Sequence, residues 1–294
     1  KAWGIKAEGK NLLPLTDEYS PELLEERLLG RTTNTAYTLD TTVPARPPLF
    51  CPGCPHRGVF YTLGRMRLTV CGDIGCYTLG ALKPLAAMDT TICMGASIGA
   101  ALGMEKARGP EYAQKTVAVI GDSTFVHSGI TGLIDVVYNR GISTVLILDN
   151  GTTAMTGHQH HPATGRTIDG VETARLDLEA VCRAVGVQRV RTVDPLDLNQ
   201  LEAALKEELI SGQPSVIIAR RPCALLPDAG LGEKMYYVDE EACKGCRLCI
   251  KIGCTGIYWI EEERIARINP NLCVGCGLCA QICKLDAILE GGGR

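Results

Sequence analysis

The chain has 294 residues, enough for one large domain and a small one. Its 30 basic and 33 acidic residues leave a net charge of −3, which excludes nucleic-acid binding as the main task. No apolar stretch reaches the length of a membrane span and no secretory signal opens the chain, so neither a membrane partner nor export is expected. Lys1 is not an initiator methionine, which reads as a processed chain or a piece of a longer one. Of 15 cysteines, eight crowd into Cys243–Cys283. Disulfide frameworks belong to small secreted domains. Here the clusters sit beside a large apolar pattern, so they read as metal-bound thiolates in a reducing cytoplasm.

In chain order, residues 1–50 form an N-terminal helix and linker. Ser20 as N-cap, Pro21 at the first position and Gly30 at the end delimit a short helix, and residues 31–50, with Pro44, Pro47 and Pro48, read as surface linker. CPGCPHR (Cys51–Arg57) precedes a helix over 58–66 and a short strand over 68–71. GDIGCYTLG follows, then a buried strand over 89–94 and a helix in MGASIGAALGMEKA. The start of that helix, at Gly95 and Ala96, reads either as a phosphate-side wall or as a small-residue packing site. Strands over 116–120, 143–148, 187–190 and 214–220 alternate with helices after Gly121 and over 176–185 and 196–210. That alternation predicts an α/β fold, a doubly wound, mostly parallel sheet with helices on both faces, over residues 51–226. Cys71, Cys93 and Cys182 lie in apolar patterns and read as small core residues. A linker over 227–234 leads to a small α+β domain over 235–294.

The most informative stretch is Gly121–Gln159. Two strands end in polar loops, Gly121-Asp122-Ser123 and Asp149-Asn150, and a parallel sheet binds ligands at such carboxyl ends. Asp122 and Asn150 beside small residues suit a hard divalent cation that also holds phosphate oxygens. A Rossmann-like sheet with merely polar loops is the alternative. Gly-Asp, a gap of under thirty residues, Asn, and TGHQ downstream resemble the thiamine-diphosphate motif. The resemblance implies Mg²⁺ held by the Asp122 and Asn150 side chains and the Thr152 carbonyl, with Gly121 and Ser123 against the diphosphate.

The last segment repeats itself: VDEEACKGCRLCIKIGC matches INPNLCVGCGLCAQIC at an offset of thirty residues. This resembles a bacterial two-cluster ferredoxin, and zinc is the alternative, although zinc ligands come as CxxC pairs. The ferredoxin rule implies one [4Fe–4S] cluster on Cys243, Cys246, Cys249 and Cys283, and another on Cys273, Cys276, Cys279 and Cys254. Two departures stand out. Four residues rather than three precede Cys254, and Thr255 and Lys284 replace the proline after each fourth cysteine.

CPGC before a thiamine-diphosphate motif, Cys76 in GDIGC, Cys223 in RPC, MGASIG and TGHQ together resemble the 2-oxoacid:ferredoxin oxidoreductases, in the order typical of their indolepyruvate type. The resemblance covers nearly the whole chain. It implies a third cluster on Cys51, Cys54, Cys76 and Cys223, against the alternative of four structural thiols. It also implies His56 near the cofactor. The TGHQHH loop, with His158, His160 and His161, reads as a solvated loop, a zinc site lacking a fourth partner, or a substrate-facing loop in which His158 moves protons. The implied reaction is oxidative decarboxylation of an aryl-2-oxo acid with coenzyme A, electrons leaving through the clusters to ferredoxin. A non-oxidative thiamine-diphosphate decarboxylase, or an electron carrier on a degenerate α/β scaffold, remain alternatives. The pyrimidine-binding domain that thiamine enzymes need does not fit in this length. It is expected upstream or on a second subunit, in a hetero-oligomer.

Overall fold

Three runs, TVAVI, TVLIL and SVIIA, are nearly unbroken apolar and rich in β-branched residues. Such runs are what strands buried on both faces of a parallel sheet require. In the computed structural model, which describes residues 4, 6, 10–16, 18–31, 41–42, 45–227, 229–232 and 234–291, they form the middle of a six-stranded sheet. Most of the expected linker over 31–50, including Pro44, lies outside the described residues.

The chain divides into two compact units, Lys1–Pro47 and Pro48–Arg294. In the first, the Leu23 N–H donates to the Ser20 side chain at the start of α1 (Pro21–Leu24), which widens into a π turn over Glu25–Leu29 and stops at Gly30. In the second unit come α2 (Pro55–Met66), β1 (Thr69–Gly72), a 3₁₀ turn over Cys76–Ala81 and β2 (Thr90–Thr91). Then follow α3 (Ala96–Arg108), α4 (Pro110–Ala113), β3 (Thr116–Gly121), α5 (Asp122–Thr124), α6 (Ile130–Tyr138) and β4 (Thr144–Asp149). α7 (Leu178–Ala184), β5 (Arg189–Val193), α8 (Leu198–Leu209) and β6 (Ser215–Arg220) complete the large sheet. The expected boundary over 227–234 falls inside this second unit.

All pairings in the large sheet are parallel, in the order β2-β1-β3-β4-β6-β5. Side chains alternate faces with period two. Val117, Val119, Leu146, Leu148 and Ile217 meet α2 and α8 on one side. Ala118, Ile120, Val145, Ile147, Val216 and Ile218 meet α3, α6 and α7 on the other. Glu105 of α3 ties the start of β4 to this second layer. Its buried carboxylate accepts the Ile142 N–H at 3.0 Å and the Ser143 hydroxyl at 2.6 Å.

Some expectations need correcting. The strand over 89–94 shrinks to β2, two residues at the sheet edge bonded only to β1. With no outer neighbour to cover them, Ile92 and Met94 are exposed, and so is Cys93, which is not a core residue. Cys71 and Cys182 are fully buried as expected. The strand expected over 187–190 runs later, over Arg189–Val193. The helix expected over 58–66 begins at Pro55, with proline preorganising its first turn, so His56 and Arg57 are helical.

The C-terminal segment folds as two antiparallel pairs. β7 (Met235–Val238) joins β10 (Ile288–Gly291), and β8 (Ile257–Ile260) joins β9 (Ile265–Ile268). A 3₁₀ turn over Cys249–Ile252 and α9 (Leu278–Ile282) lie between them. Its apolar core includes Leu196 and Leu198 of the large domain. Gln281 spans the same seam, accepting the Leu198 N–H at 3.0 Å and donating to the Leu196 carbonyl at 2.7 Å. Among the described residues no helix is long and apolar enough to cross a membrane.

Replacing Glu105 with Ala strands the half-buried Ile142 N–H and the buried Ser143 hydroxyl, so unfolding free energy should fall by about 1–3 kcal/mol. Glu105→Gln, which keeps an acceptor, should lose less. A urea midpoint shift at constant slope measures both.

Candidate active site

β1 and β3 are neighbours, yet their connections leave toward opposite faces. After β1 the chain enters the 3₁₀ turn, whose Tyr77 joins the α2/α8 layer, whereas after β3 it enters the helical stretch leading to α6 in the other layer. A parallel sheet opens a crevice at such a point. A cavity of about 120 Å³ lies there, walled by Ile74–Tyr77, Gly121–Thr124, Asn150, Thr152 and His56.

Asp122, Asn150 and Thr152 are all buried and come together at this cavity. Asp122 Oδ1 accepts the Ser123 N–H at 2.8 Å, and Oδ2 accepts the Gly151 N–H at 2.9 Å, joining the β3 and β4 loops. Asn150 Oδ1 accepts the Thr152 N–H at 3.3 Å, and the Thr153 hydroxyl donates to that of Ser123 at 2.9 Å. His161, the last histidine of the TGHQHH loop, is buried with Nε2 3.3 Å from Asp122 Oδ2, and neither ring nitrogen makes a hydrogen bond. A buried set of oxygen donors with an unsatisfied polar neighbour fits a hard cation and its anionic ligand. Behind it, Asp149 pairs with Arg220 at 2.7 Å, while burial pushes its carboxyl above the usual range.

His56 is buried, edge-on to the Tyr77 ring at 5.9 Å, and burial drives its pKa down to about 4, so it is neutral at physiological pH. Burial likewise pushes the Tyr77 phenol up, and its hydroxyl donates to the Ile74 carbonyl at 2.9 Å.

The expected phosphate-side wall at Gly95 and Ala96 is closed by the chain itself. The carboxylate of Asp73, fully buried, accepts the Gly95 N–H at 2.9 Å and the Ser97 N–H at 3.2 Å, taking the donors a phosphate needs. Gly95 adopts φ +88°, and a Cβ there would fall 2.2 Å from the Ser128 hydroxyl, so packing accounts for this glycine. Neither Gly95 nor Ala96 lines the cavity. His158 does not line it either. It lies on the far side of His56, its Nε2 3.9 Å from Cys223 Sγ.

The cysteines gather in three groups of four. Cys51, Cys54, Cys76 and Cys223 line a cavity that shares His56, Cys76 and Asn150 with the Asp122 cavity. Cys243, Cys246, Cys249 and Cys283 line a second, and Cys254, Cys273, Cys276 and Cys279 a third. In the C-terminal pair each set takes its fourth cysteine from the other repeat. Burial, reinforced by crowding from neighbouring thiols, pushes the Cys54 thiol up to about 12 and Cys249 up to about 11. Burial also raises Cys76, Cys223, Cys276 and Cys279. Among the described residues no three His, Cys, Asp or Glu side chains close around a single ion, and the thiols instead sit on the walls of their cavities. Four thiols around a walled void suit a polynuclear cluster.

Sequence reasoning missed Asp73, Tyr77 and Arg57, and within the TGHQHH loop it favoured His158, whereas His161 is the histidine beside Asp122. A signal existed for Arg57: a cation in the first turn of a helix opposes the macrodipole and so needs a specific partner.

Two family profiles match: the C-terminal TPP-binding domain of thiamine pyrophosphate enzymes over residues 73–219, and the 4Fe–4S binding domain over 266–289. The chain is 39% identical to the indolepyruvate oxidoreductase subunit IorA of Pyrococcus abyssi over 98% of its own length and 49% of that protein's. It is 40% identical to the Archaeoglobus fulgidus subunit of the same name over 85% of this chain and 41% of that one. It therefore spans about half the length of the curated relatives it matches. Among solved structures, 2-oxoglutarate:ferredoxin oxidoreductase from Magnetococcus marinus shares the fold, with TM-score 0.50 and 17% identity over 60% of this chain and 64% of that one.

Removing the Asp73 carboxylate with Asp73→Ala should speed amide exchange at Gly95 and Ser97 and lower unfolding free energy by about 1–3 kcal/mol. Hydrogen-exchange mass spectrometry across 93–98 reads the first effect and urea unfolding the second.

Proposed function

This chain belongs to the thiamine pyrophosphate enzymes, through their C-terminal TPP-binding domain, and from that premise we propose that it is the cofactor-anchoring and electron-conducting part of a 2-oxoacid:ferredoxin oxidoreductase. The carrying observation is that the Asp122 cavity and the cavity of Cys51, Cys54, Cys76 and Cys223 share His56, Cys76 and Asn150 as walls. A cofactor held in the first stands next to a cluster held in the second. The 4Fe–4S binding match over 266–289 and the paired C-terminal cysteine sets support the onward route to ferredoxin.

In this reading the Asp122 and Asn150 side chains and the Thr152 carbonyl hold Mg²⁺, and Gly121 and Ser123 let the backbone approach the diphosphate. Gly151 and Ser123 N–H groups fix the Asp122 carboxylate before any metal arrives. Thiamine diphosphate, when bound, supplies the electron sink for decarboxylation. His56, kept neutral by burial, stands in the wall that the two cavities share, braced edge-on by the Tyr77 ring. His158 belongs to the cluster side through Cys223.

The names of the relatives support an aryl-2-oxo acid of the indolepyruvate kind as substrate, and the proposed products are the acyl-CoA and CO₂. The proposal includes a partner domain or subunit that contributes the pyrimidine-binding half, and a reducing, cytoplasmic setting that keeps the cysteines from forming disulfides.

Asp122→Ala should abolish Mg²⁺-dependent thiamine diphosphate binding by calorimetry, and persistence of that binding would refute the metal assignment. Iron analysis of anaerobically purified protein should give about twelve irons per chain, against about eight if only the C-terminal sets are loaded. In the complex with its pyrimidine-binding partner, an aryl-2-oxo acid plus coenzyme A should bleach the cluster absorbance. Turnover without bleaching would point to a non-oxidative decarboxylase.

A further inference from the structure

Arg57 is one of the largest fully buried side chains, 2% exposed in the first turn of α2. All four acceptors of its guanidinium are backbone carbonyls. Nη2 donates to Phe50 and, at 3.2 Å, to Cys51. Nη1 donates to Ile252 at 3.1 Å and to Gly253. Its Nε has no partner. A buried charge without a counterion is costly, and four carbonyl dipoles only partly offset it.

Its position suggests the missing counter-charge. Phe50 and Cys51 begin the loop of one four-cysteine set, while Ile252 and Gly253 immediately precede Cys254 of another. The guanidinium therefore sits on the carbonyl of Cys51 itself on one side and on that of Gly253, the residue before Cys254, on the other. The spacing anomaly of the first repeat falls here too. Four residues separate Cys249 from Cys254, against three between Cys279 and Cys283. The longer interval forms a turn with Gly253 at φ +67°, where a Cβ would lie 2.8 Å from Pro84, and the turn aims two successive carbonyls at Arg57.

We propose that Arg57 is the joint between the two halves of the electron path. Its fork pins the Ile252–Gly253 turn of the C-terminal module to the Phe50–Cys51 loop, and its charge favours reduction of the groups held by the Cys51–Cys54 loop and by the Cys254–Cys276 set. The electrostatic part rests on the proposed function, in which both sets carry clusters. One electron from an external reductant adds one negative charge to a cluster, and a fixed cation nearby stabilises that reduced form. Lysine keeps the charge but cannot span four carbonyls with a planar fork.

The test uses the holo-protein and the variants Arg57→Met, Arg57→Gln and Arg57→Lys, in dithionite titrations followed by electron paramagnetic resonance after iron analysis. With iron content unchanged, the Met and Gln variants should show about a tenfold lower reduced-to-oxidised ratio at fixed poise in at least one cluster, a midpoint about 59 mV more negative for one electron. Arg57→Lys should recover most of that shift. Amide exchange over 250–256 should quicken in all three variants. Faster exchange with unmoved potentials in Met and Gln would reduce Arg57 to a structural clamp and overturn the electrostatic claim. Unchanged exchange would overturn the clamp. Wild-type protein without iron in either set would overturn the electrostatic claim together with the proposed function, while the exchange measurement still decides the clamp.

Discussion

The structure depends on one topological constraint: two adjacent parallel strands whose connections part to opposite faces. The chain segments that follow β1 and β3 part there, and the polar ends of the strands face a crevice between them. β3 and β4 are buried along their whole length, so the loops carrying Asp122 and Asn150 rise from the core of the sheet. Asp122 is held by backbone donors from its own loop and from the β4 loop, which makes the distance between those loops part of the site.

The same crevice explains where the cysteines go. Cys76 follows β1, Cys51 and Cys54 precede α2, and Cys223 follows β6, positions far apart in sequence that meet beside the Asp122 cavity. Each stands in a loop or at a helix edge, where backbone can bend around a bulky inorganic group without breaking a strand ladder. The C-terminal sets follow another logic. Near-repeats fold back on each other through β7 with β10, so each cavity is completed by a cysteine of the other repeat. Arg57 and Gln281 then seat this module on the large domain through polar contacts to backbone, within an apolar seam.

Burial sets the chemistry of the walls. A histidine with full access to water titrates near neutrality, whereas His56 is kept neutral by its apolar surroundings and serves as an uncharged partition. Asp73 shows the opposite use of a charge: buried completely, it takes up the free N–H groups at the start of α3 and fastens the GDIGC turn to that helix. A phosphate at that helix start would compete with a carboxylate already in place.

The apolar runs, the Gly-Asp and Asp-Asn loops and the doubled cysteine pattern were legible from the chain alone, because periodicity and spacing are local properties. They were enough for the parallel sheet, for the meeting of the Asp122 and Asn150 loops and for the doubled C-terminal cysteine sets, while Thr152 and the group of Cys51, Cys54, Cys76 and Cys223 came from the family resemblance. Edge and centre were not legible, since whether the residues around Cys93 are buried depends on a neighbouring strand that is absent at β2. Nor was the division of labour among the histidines. His158 and His161 lie in one short loop, and only the path of that loop, with His158 at φ +62°, sends one toward Cys223 and the other toward Asp122. Arg57 belongs to the same class. Its place next to a helix start was readable, but its four carbonyl partners come from segments about 200 residues apart, brought together only by the docking of the C-terminal module. Residue types and intervals determined which chemistry this chain carries. Long-range packing decided which side chains share a cavity, because burial, desolvation and charge proximity exist only once distant segments meet.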